Sequence, residues 1–176
     1  MPLRTVIRAA SVALGLALAL PLQAQTYPTR QVNILVPLAP GSGLDILARA
    51  YGEKLSQSLG RPVIIENRTG ASQIIAVNGL MQAPADGHTL LVATSGAMAI
   101  NPAAFKSLTY DIHKDFIPLS LYVKSPFILV VNPSIPAKTA NEFIQYAKER
   151  PGKLSFSSAN LMSAPHLAGE MLNIRF

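Results

Sequence analysis

The stretch "VPLAPGSGLDILARAYGEKL", residues 36–55, joins an apolar run to an amphipathic segment through a glycine-rich turn. The apolar residues that lead into the turn predict a strand over residues 31–37. Apolar side chains then recur every three or four positions, which predicts a helix over Gly43–Leu59. A strand, a turn and a helix in this order form the repeating unit of parallel α/β sheets, so the stretch decides the fold class. The apolar stripe predicted for this helix is Leu44, Leu47, Tyr51 and Leu55.

The rest of the chain repeats the alternation of apolar runs and amphipathic segments. Thr139 and Glu142 have the spacing of a capping box, which predicts the start of a helix. Near-continuous apolar strands between helices imply a parallel sheet covered on both faces. The other predicted elements are strands over residues 61–66, 88–94, 116–123, 127–131 and 153–159, a helix over residues 72–83, and a last helix that begins near Ser163.

Residues 1–24 have the pattern of a secretory signal peptide. Arg4 and Arg8 form a basic start, residues 9–20 are apolar, and Ala24 is a small residue at the cleavage point. We therefore expect cleavage after Ala24 and export to the periplasm. An uncleaved membrane anchor is disfavoured, because the apolar run is shorter than the ~20 residues that a spanning helix needs.

The composition narrows the classes of function. Of the 176 residues, 49% are hydrophobic and 14% charged, which suits a packed globular protein. The formal net charge is +6, but the basic residues are scattered, so no nucleic-acid partner is expected. Cysteine is absent, and the three histidines lack the spacing of metal ligands. We therefore expect neither a metal nor a cofactor.

The glycine turn, residues 40–43, follows the first predicted strand and precedes a helix. Gly41 and Gly43 permit positive φ angles and close approach by a ligand. The unpaired N–H groups of the first helical turn favour an anion. A dinucleotide fingerprint would need a third glycine and a P-loop would need Gly-Lys-Ser/Thr, and both are missing. A carboxylate remains the anion that this turn fits.

Asp45 lies in the first turn of the same helix and would repel a polyphosphate. One interpretation is that it stabilises the helix dipole, an effect of ~0.3–1 kcal/mol. Another is that it orders water in a pocket or pairs with the ammonium group of an amino-acid-like ligand. The sequence leaves both interpretations open.

Hydroxyl side chains also follow other predicted strands. Thr94 and Ser95 end the third strand and Ser158 ends the last one, so all should point to the same rim of the sheet. A serine-dependent hydrolase or transferase, using Ser95 or Ser158 with His166, is the alternative function. G-x-S-x-G does not occur, and the histidines have no triad spacing, so we expect no enzymatic activity.

The chain resembles the Bug-type extracytoplasmic solute receptors of tripartite tricarboxylate transporters. The resemblance runs from Tyr27 to Glu170 through "YPTRQVNILVPLAPGSGLDILAR", "LGRPVIIENRTGA", "PADGHTLLVATSGAMAINPA", "DFIPLSLYVKSPFILVVNPSIPAKT" and "PGKLSFSSA…SAPHLAGE". It implies a type II periplasmic-binding-protein fold of two α/β lobes. It also implies a small carboxylate or related metabolite in the cleft, delivery to membrane transporter subunits, and a monomeric receptor when the chain is complete.

The resemblance carries ligand-binding positions onto this sequence. Ser42 replaces a usual glycine, and the glycine- and asparagine-rich core of the second-lobe loop becomes Asn160, Leu161 and Met162. The glycine-rich helix start after Gly70 is likewise altered, to residues 72–74. The candidate ligand-binding residues are Pro40, Gly41, Ser42, Gly43, Asp45, Thr94, Ser95, Ser158, Ser163 and His166.

The predicted division places a first α/β lobe at residues 27–122, lacking its C-terminal return segment, and a partial second lobe at residues 123–176. The family's chains continue past this point, so the resemblance implies a C-terminally truncated receptor. A fragment without independent function is therefore a third interpretation.

Overall fold

A computed structural model describes residues 26–175, so the predicted signal peptide lies outside the described residues. A 3-10 turn, Ala71–Gln73, precedes the second helix, and a π-helical turn, Gly96–Ile100, precedes the third. Among the helices of this range, none is both long and apolar enough to cross a membrane. The elements in chain order are β1 (Val32–Val36), α1 (Gly43–Leu59), β2 (Val63–Asn67), α2 (Ile74–Met81), β3 (Thr89–Leu91), α3 (Asn101–Ala104), α4 (Ala140–Lys148) and α5 (Ala164–Arg175).

The three strands form one parallel sheet in the order β2-β1-β3. Strand β1 is central and pairs Ile34 with Ile65 of β2 and with Leu90 of β3. It is the most apolar of the three, and Val36 is fully buried. The predicted parallel α/β arrangement is therefore confirmed, and the carboxyl ends of all three strands lie at one edge.

Helix α1 has the predicted bounds, but it packs through a different face. Tyr51 and Leu55 of the predicted stripe are 49% and 38% exposed, whereas Ala48 and Gly52 are buried. A Cβ on Gly52 would lie 3.0 Å from Ile65 Cδ1. The helix sits so close to β2 that only small residues fit between them. The predicted stripe was therefore wrong at Tyr51 and Leu55, whereas Leu44 packs against the core.

The other face of the sheet is covered by α2 and by the segment that follows β3. Val77 of α2 is fully buried and forms a cluster with the buried Ala97 and Tyr110, and Leu91 packs against this cluster. Helix α2 was predicted over residues 72–83, but its regular part begins only at Ile74 because the preceding turn is left-handed. Both faces of the sheet are covered, as the apolar strands implied.

Helix α4 begins at the predicted cap, since Thr139 Oγ1 accepts the Glu142 N–H at 3.2 Å. The Glu142 carboxylate accepts the N–H of Lys138 at 2.7 Å, rather than that of Thr139. Neither α4 nor α5 has a fully buried residue. These helices are therefore fixed mainly by local hydrogen bonds.

Three predicted strands are wrong, since residues 116–123, 127–131 and 153–159 form no strand in the described chain. Their sequences have the expected apolar character, but a strand also needs a neighbouring strand to bond its backbone. No such neighbour lies beside them among residues 26–175. As a result Ile117, Ile128 and Val130 are 87%, 79% and 81% exposed.

We expect the exposed run at residues 127–131 to bind an apolar dye such as ANS, because contiguous exposed apolar surface does so. Replacing both Ile128 and Val130 by lysine should lower the dye fluorescence. Ser134→Lys is the matched control, since it adds charge nearby without removing an apolar side chain. Equal dye binding by the double variant and the control would show that this run is covered in solution.

Candidate functional site

The glycine turn lies at the carboxyl end of β1 and is open to solvent. Gly41 has a φ of 80°, and a Cβ placed on Gly41 or Gly43 would meet no atom within 4 Å. Ser42 caps α1, since its hydroxyl accepts the Asp45 N–H at 3.3 Å. Pro40, Gly41 and Gly43 are exposed. The turn is therefore accessible to a ligand, while the Ser42 hydroxyl has a structural task.

The N–H groups of Gly43 and Leu44 make no hydrogen bond within the described residues. The neighbouring donors are used internally: Ser42 N–H donates to Ala39 O at 3.1 Å, and Gly41 N–H donates to Asp45. Unpaired amides at a helix start carry partial positive charge and point outward. These two amides are the donors that the turn offers to an anion.

Asp45 is 2% exposed, accepts three hydrogen bonds and forms an ion pair with Arg49. Its Oδ2 accepts from Gly41 N–H at 2.8 Å and from Arg49 Nε at 3.1 Å. Its Oδ1 accepts from Asn67 Nδ2 at 2.9 Å and lies 3.0 Å from Arg49 Nη2, an ion-pair contact. Both oxygens are hydrogen-bonded within the protein and the charge is paired with Arg49, so this carboxylate is not free to pair with the ammonium group of a ligand. In this geometry Asp45 anchors the turn.

Asn67, at the end of β2, extends this anchor. Its Nδ2 also donates to the carbonyl of Leu38 at 3.0 Å, and its Oδ1 accepts from Arg49 Nη2 at 3.0 Å. The Arg49 hydrogen bond, followed by those from Gly41 and Asn67, lowers the pKa of Asp45 from 3.8 to about 2. The carboxylate stays ionised at neutral pH, and the Arg49 charge is already balanced.

The loop after β2 has an unusual backbone. Ala71, Ser72 and Gln73 all have positive φ angles, of 45°, 52° and 76°. Asn101, which is fully buried, supports this turn by donating to Ser72 O at 2.9 Å. Left-handed backbone costs an ordinary residue roughly 1–2 kcal/mol, so the surrounding contacts must impose it.

Gln73 joins this loop to the end of β3. It is 4% exposed, and its Oε1 accepts the hydroxyl proton of Thr94. Thr94 Oγ1 in turn accepts the Ala97 N–H at 3.2 Å. Sequence reasoning missed Gln73 as a site residue, although the altered residues 72–74 were a signal that could have identified it. Ser95, the other predicted residue here, is exposed, and its hydroxyl makes no hydrogen bond within residues 26–175.

The loop at residues 158–163 approaches the same place. A Cβ on Gly96 would lie 3.2 Å from Met162 O and 3.1 Å from Gln73 Nε2. Met162 has a φ of 59°, at one of the positions where the sequence departs from the glycine-rich pattern. The structure therefore brings Thr94, Gln73 and Met162 together around Gly96.

The remaining predicted residues have local partners. Ser163 Oγ donates to Asn160 O at 2.7 Å and accepts the His166 N–H at 3.3 Å, so it caps α5. Ser158 Oγ donates to Asn160 O at 3.4 Å. His166 Nε2 lies 4.0 Å from Glu170 Oε1. Within the described chain no hydrogen bond joins Ser95 or Ser158 to His166, so the geometry gives the hydrolase alternative no support.

A family model described as a tripartite tricarboxylate transporter family receptor matches residues 47–175. The chain belongs to this receptor family. The resemblance seen in the sequence is thereby confirmed. The chain spans about half the length of the curated relatives that it matches.

Solved structures show the same relation to these receptors. The R. palustris protein Rpa4515, solved with adipate, is 35% identical with a TM-score of 0.79, over 84% of this chain and 49% of that one. MatC from Rhodopseudomonas palustris, solved with bound malate, is 32% identical with a TM-score of 0.75, over 84% and 51%. The periplasmic binding protein BugD is 30% identical with a TM-score of 0.70, over 83% and 48%. The mixed α/β fold of the periplasmic-binding-protein type is thus confirmed.

The Asp45 anchor has a pH signature. Because the folded-state pKa of about 2 lies below the ordinary 3.8, the anchor stabilises the fold fully above pH 3.8. That contribution is lost as the pH falls through 2. The Gly41 amide resonance should therefore shift in an NMR titration with a midpoint near pH 2, and Asp45→Asn should abolish this shift. A midpoint near pH 4 in the wild-type chain would contradict the anchor.

Met162→Gly should stabilise the fold. Glycine removes the cost of the left-handed backbone, ~1–2 kcal/mol, but it loses ~0.5–1 kcal/mol more backbone entropy on folding. We therefore expect the free energy of unfolding to rise by about 0.5–1 kcal/mol. Urea unfolding gives the measurement. Leu161→Gly is the matched control, since Leu161 does not have a positive φ, and it should destabilise. If both variants lose stability equally, Met162 carries no such strain in solution.

Proposed function

We propose that this chain binds a small carboxylate at the carboxyl edge of its sheet, as the ligand-capturing part of a receptor for a tripartite tricarboxylate-type transporter. The observation that carries the proposal is the pair of unpaired amides at Gly43 and Leu44, in a turn whose conformation Asp45 fixes. Adipate and malate in the solved relatives support the same class of ligand. The partner that receives the ligand is the membrane component of the transporter.

The charge of the turn also supports a carboxylate. Arg49 is paired with Asp45, so its charge is already balanced. The described turn therefore presents two neutral N–H donors and the positive end of a helix dipole, which suit a ligand group with a single negative charge. A polyphosphate carries more charge than these donors balance. A carboxylate has two oxygens, which matches two adjacent N–H groups.

The proposed organisation follows the family. Residues 1–24 act as a cleaved signal peptide for export to the periplasm, residues 27–122 form the first lobe, and residues 123–176 contribute to a second lobe. Pro40, Gly41, Gly43, Thr94 and Ser95 lie at the strand ends of the first. Ser158, Ser163 and His166 belong to the second, where Ser163 and His166 shape the start of α5. Ligand transfer requires no chemical step, so we propose no catalytic residue.

The strength of binding follows from the donors. Two charge-assisted hydrogen bonds contribute ~1.5–3 kcal/mol each, and a micromolar complex needs about 8 kcal/mol. The donors of the glycine turn alone therefore support a dissociation constant of about 1 mM. Tighter binding needs donors from a second side of the cleft.

Gly43→Pro tests the proposal, because proline removes the Gly43 N–H but fits the first position of a helix. The preceding residue is already extended, with Ser42 at φ −66° and ψ 157°, as a following proline requires. Loss of one such hydrogen bond should weaken malate and adipate binding by ~10- to 100-fold, measured by NMR titration.

Gly43→Ala is the matched control, since it keeps the N–H and should bind both acids like the wild-type chain. Binding that is equally strong in the proline variant would remove the glycine turn from the site. A wild-type chain that binds neither acid at 50 mM, roughly fifty times the expected dissociation constant, would refute the proposed function and favour a fragment without independent activity.

A further inference from the structure

Gln73 is a buried polar side chain whose donor is unused. The residue is 4% exposed, yet within the described chain its only side-chain hydrogen bond is the one to Thr94. Gln73 Nε2 makes no hydrogen bond there. Gln73 Nε2 is not completely enclosed by protein atoms, so it keeps some contact with solvent. Gln73 Nε2 can therefore donate a hydrogen bond to an acceptor atom of a ligand.

The orientation of the Gln73 carboxamide is set by Thr94. Thr94 Oγ1 accepts the Ala97 N–H at 3.2 Å, which leaves its own proton for Gln73 Oε1. With the oxygen held in this way, the NH2 group must lie on the opposite side. It lies 3.1 Å from the position that a Cβ on Gly96 would take, and Met162 O lies 3.2 Å from the same position.

A donor and an acceptor therefore flank Gly96 from two different loops. Met162 O makes no hydrogen bond within residues 26–175, so it is an available acceptor beside the Gln73 donor. A carboxylate here would accept from Gln73 but be repelled by the Met162 carbonyl. A hydroxyl satisfies both groups, because it accepts one hydrogen bond and donates another.

We propose that Gln73 is a specificity-determining residue, and that its Nε2 donates to a hydroxyl on the carboxylate ligand while Met162 O accepts from that hydroxyl. The ligand class is then a hydroxycarboxylate. This inference rests on the proposed function, since the glycine turn holds the carboxylate of the same ligand. Thr94 acts as a positioning residue through Gln73.

Malate and succinate provide the test, because they differ only by one hydroxyl group. We expect the wild-type chain to bind malate about 10-fold more tightly than succinate, which corresponds to one hydrogen bond of about 1.4 kcal/mol. Gln73→Gly suits the left-handed backbone, with its φ of 76°, and removes the carboxamide, so the ratio should fall to about 1. Gln73→Glu keeps the shape but lacks the donor, and its ratio should fall as well.

Two variants at Thr94 test the positioning role. Thr94→Ser keeps the hydroxyl and should keep the preference for malate, whereas Thr94→Val should lose most of it. A merely structural role for Gln73 would change the affinities for both acids equally and leave their ratio unchanged, which would overturn the inference. A wild-type ratio near 1 would also overturn it while leaving the proposed function intact. If neither acid binds the wild-type chain, the proposed function fails together with this inference.

Discussion

The candidate site depends on one buried carboxylate, that of Asp45. The glycine turn is exposed, and a Cβ on Gly41 or Gly43 would meet open space, so side-chain packing cannot hold its backbone. Hydrogen bonds must do so, and Asp45 supplies them by accepting from the turn and from two other side chains. Since Asn67 also binds Leu38 O, the same network fixes the turn to the end of β2. The conformation of the turn is therefore fixed by hydrogen bonds within the protein.

The same anchor also sets the charge that the glycine turn presents. Arg49 lies at the rim with its side chain 52% exposed, but its charge is balanced by Asp45. An anion at the turn then meets neutral N–H donors instead of a free cation. Each such donor contributes ~1.5–3 kcal/mol to a charged group, so tight binding would need several donors and the exclusion of water.

Local patterns in the sequence were sufficient for the elements that local interactions determine. The bounds of α1 and the cap at Thr139 were correct because helix periodicity and capping involve residues only a few positions apart. The strand predictions at residues 116–131 failed because a strand depends on a distant partner. The packing face of α1 was partly wrong for a related reason: the close approach to Ile65 excludes large side chains, and that approach is not visible in helix periodicity. Gln73 was missed because its bond to Thr94 crosses 21 positions.

Backbone strain is confined to the place where three loops meet. All four non-glycine residues with positive φ in the described chain lie in two loops, one at residues 71–73 and one at Met162. Both loops contact Gly96, which follows the third strand. Each such residue costs stability, so strained backbone persists only where the surrounding contacts impose it, and it clusters at functional sites. Here the strained residues lie beside the unpaired Gln73 Nε2, so the contacts that force the backbone into this conformation also fix the position of that donor.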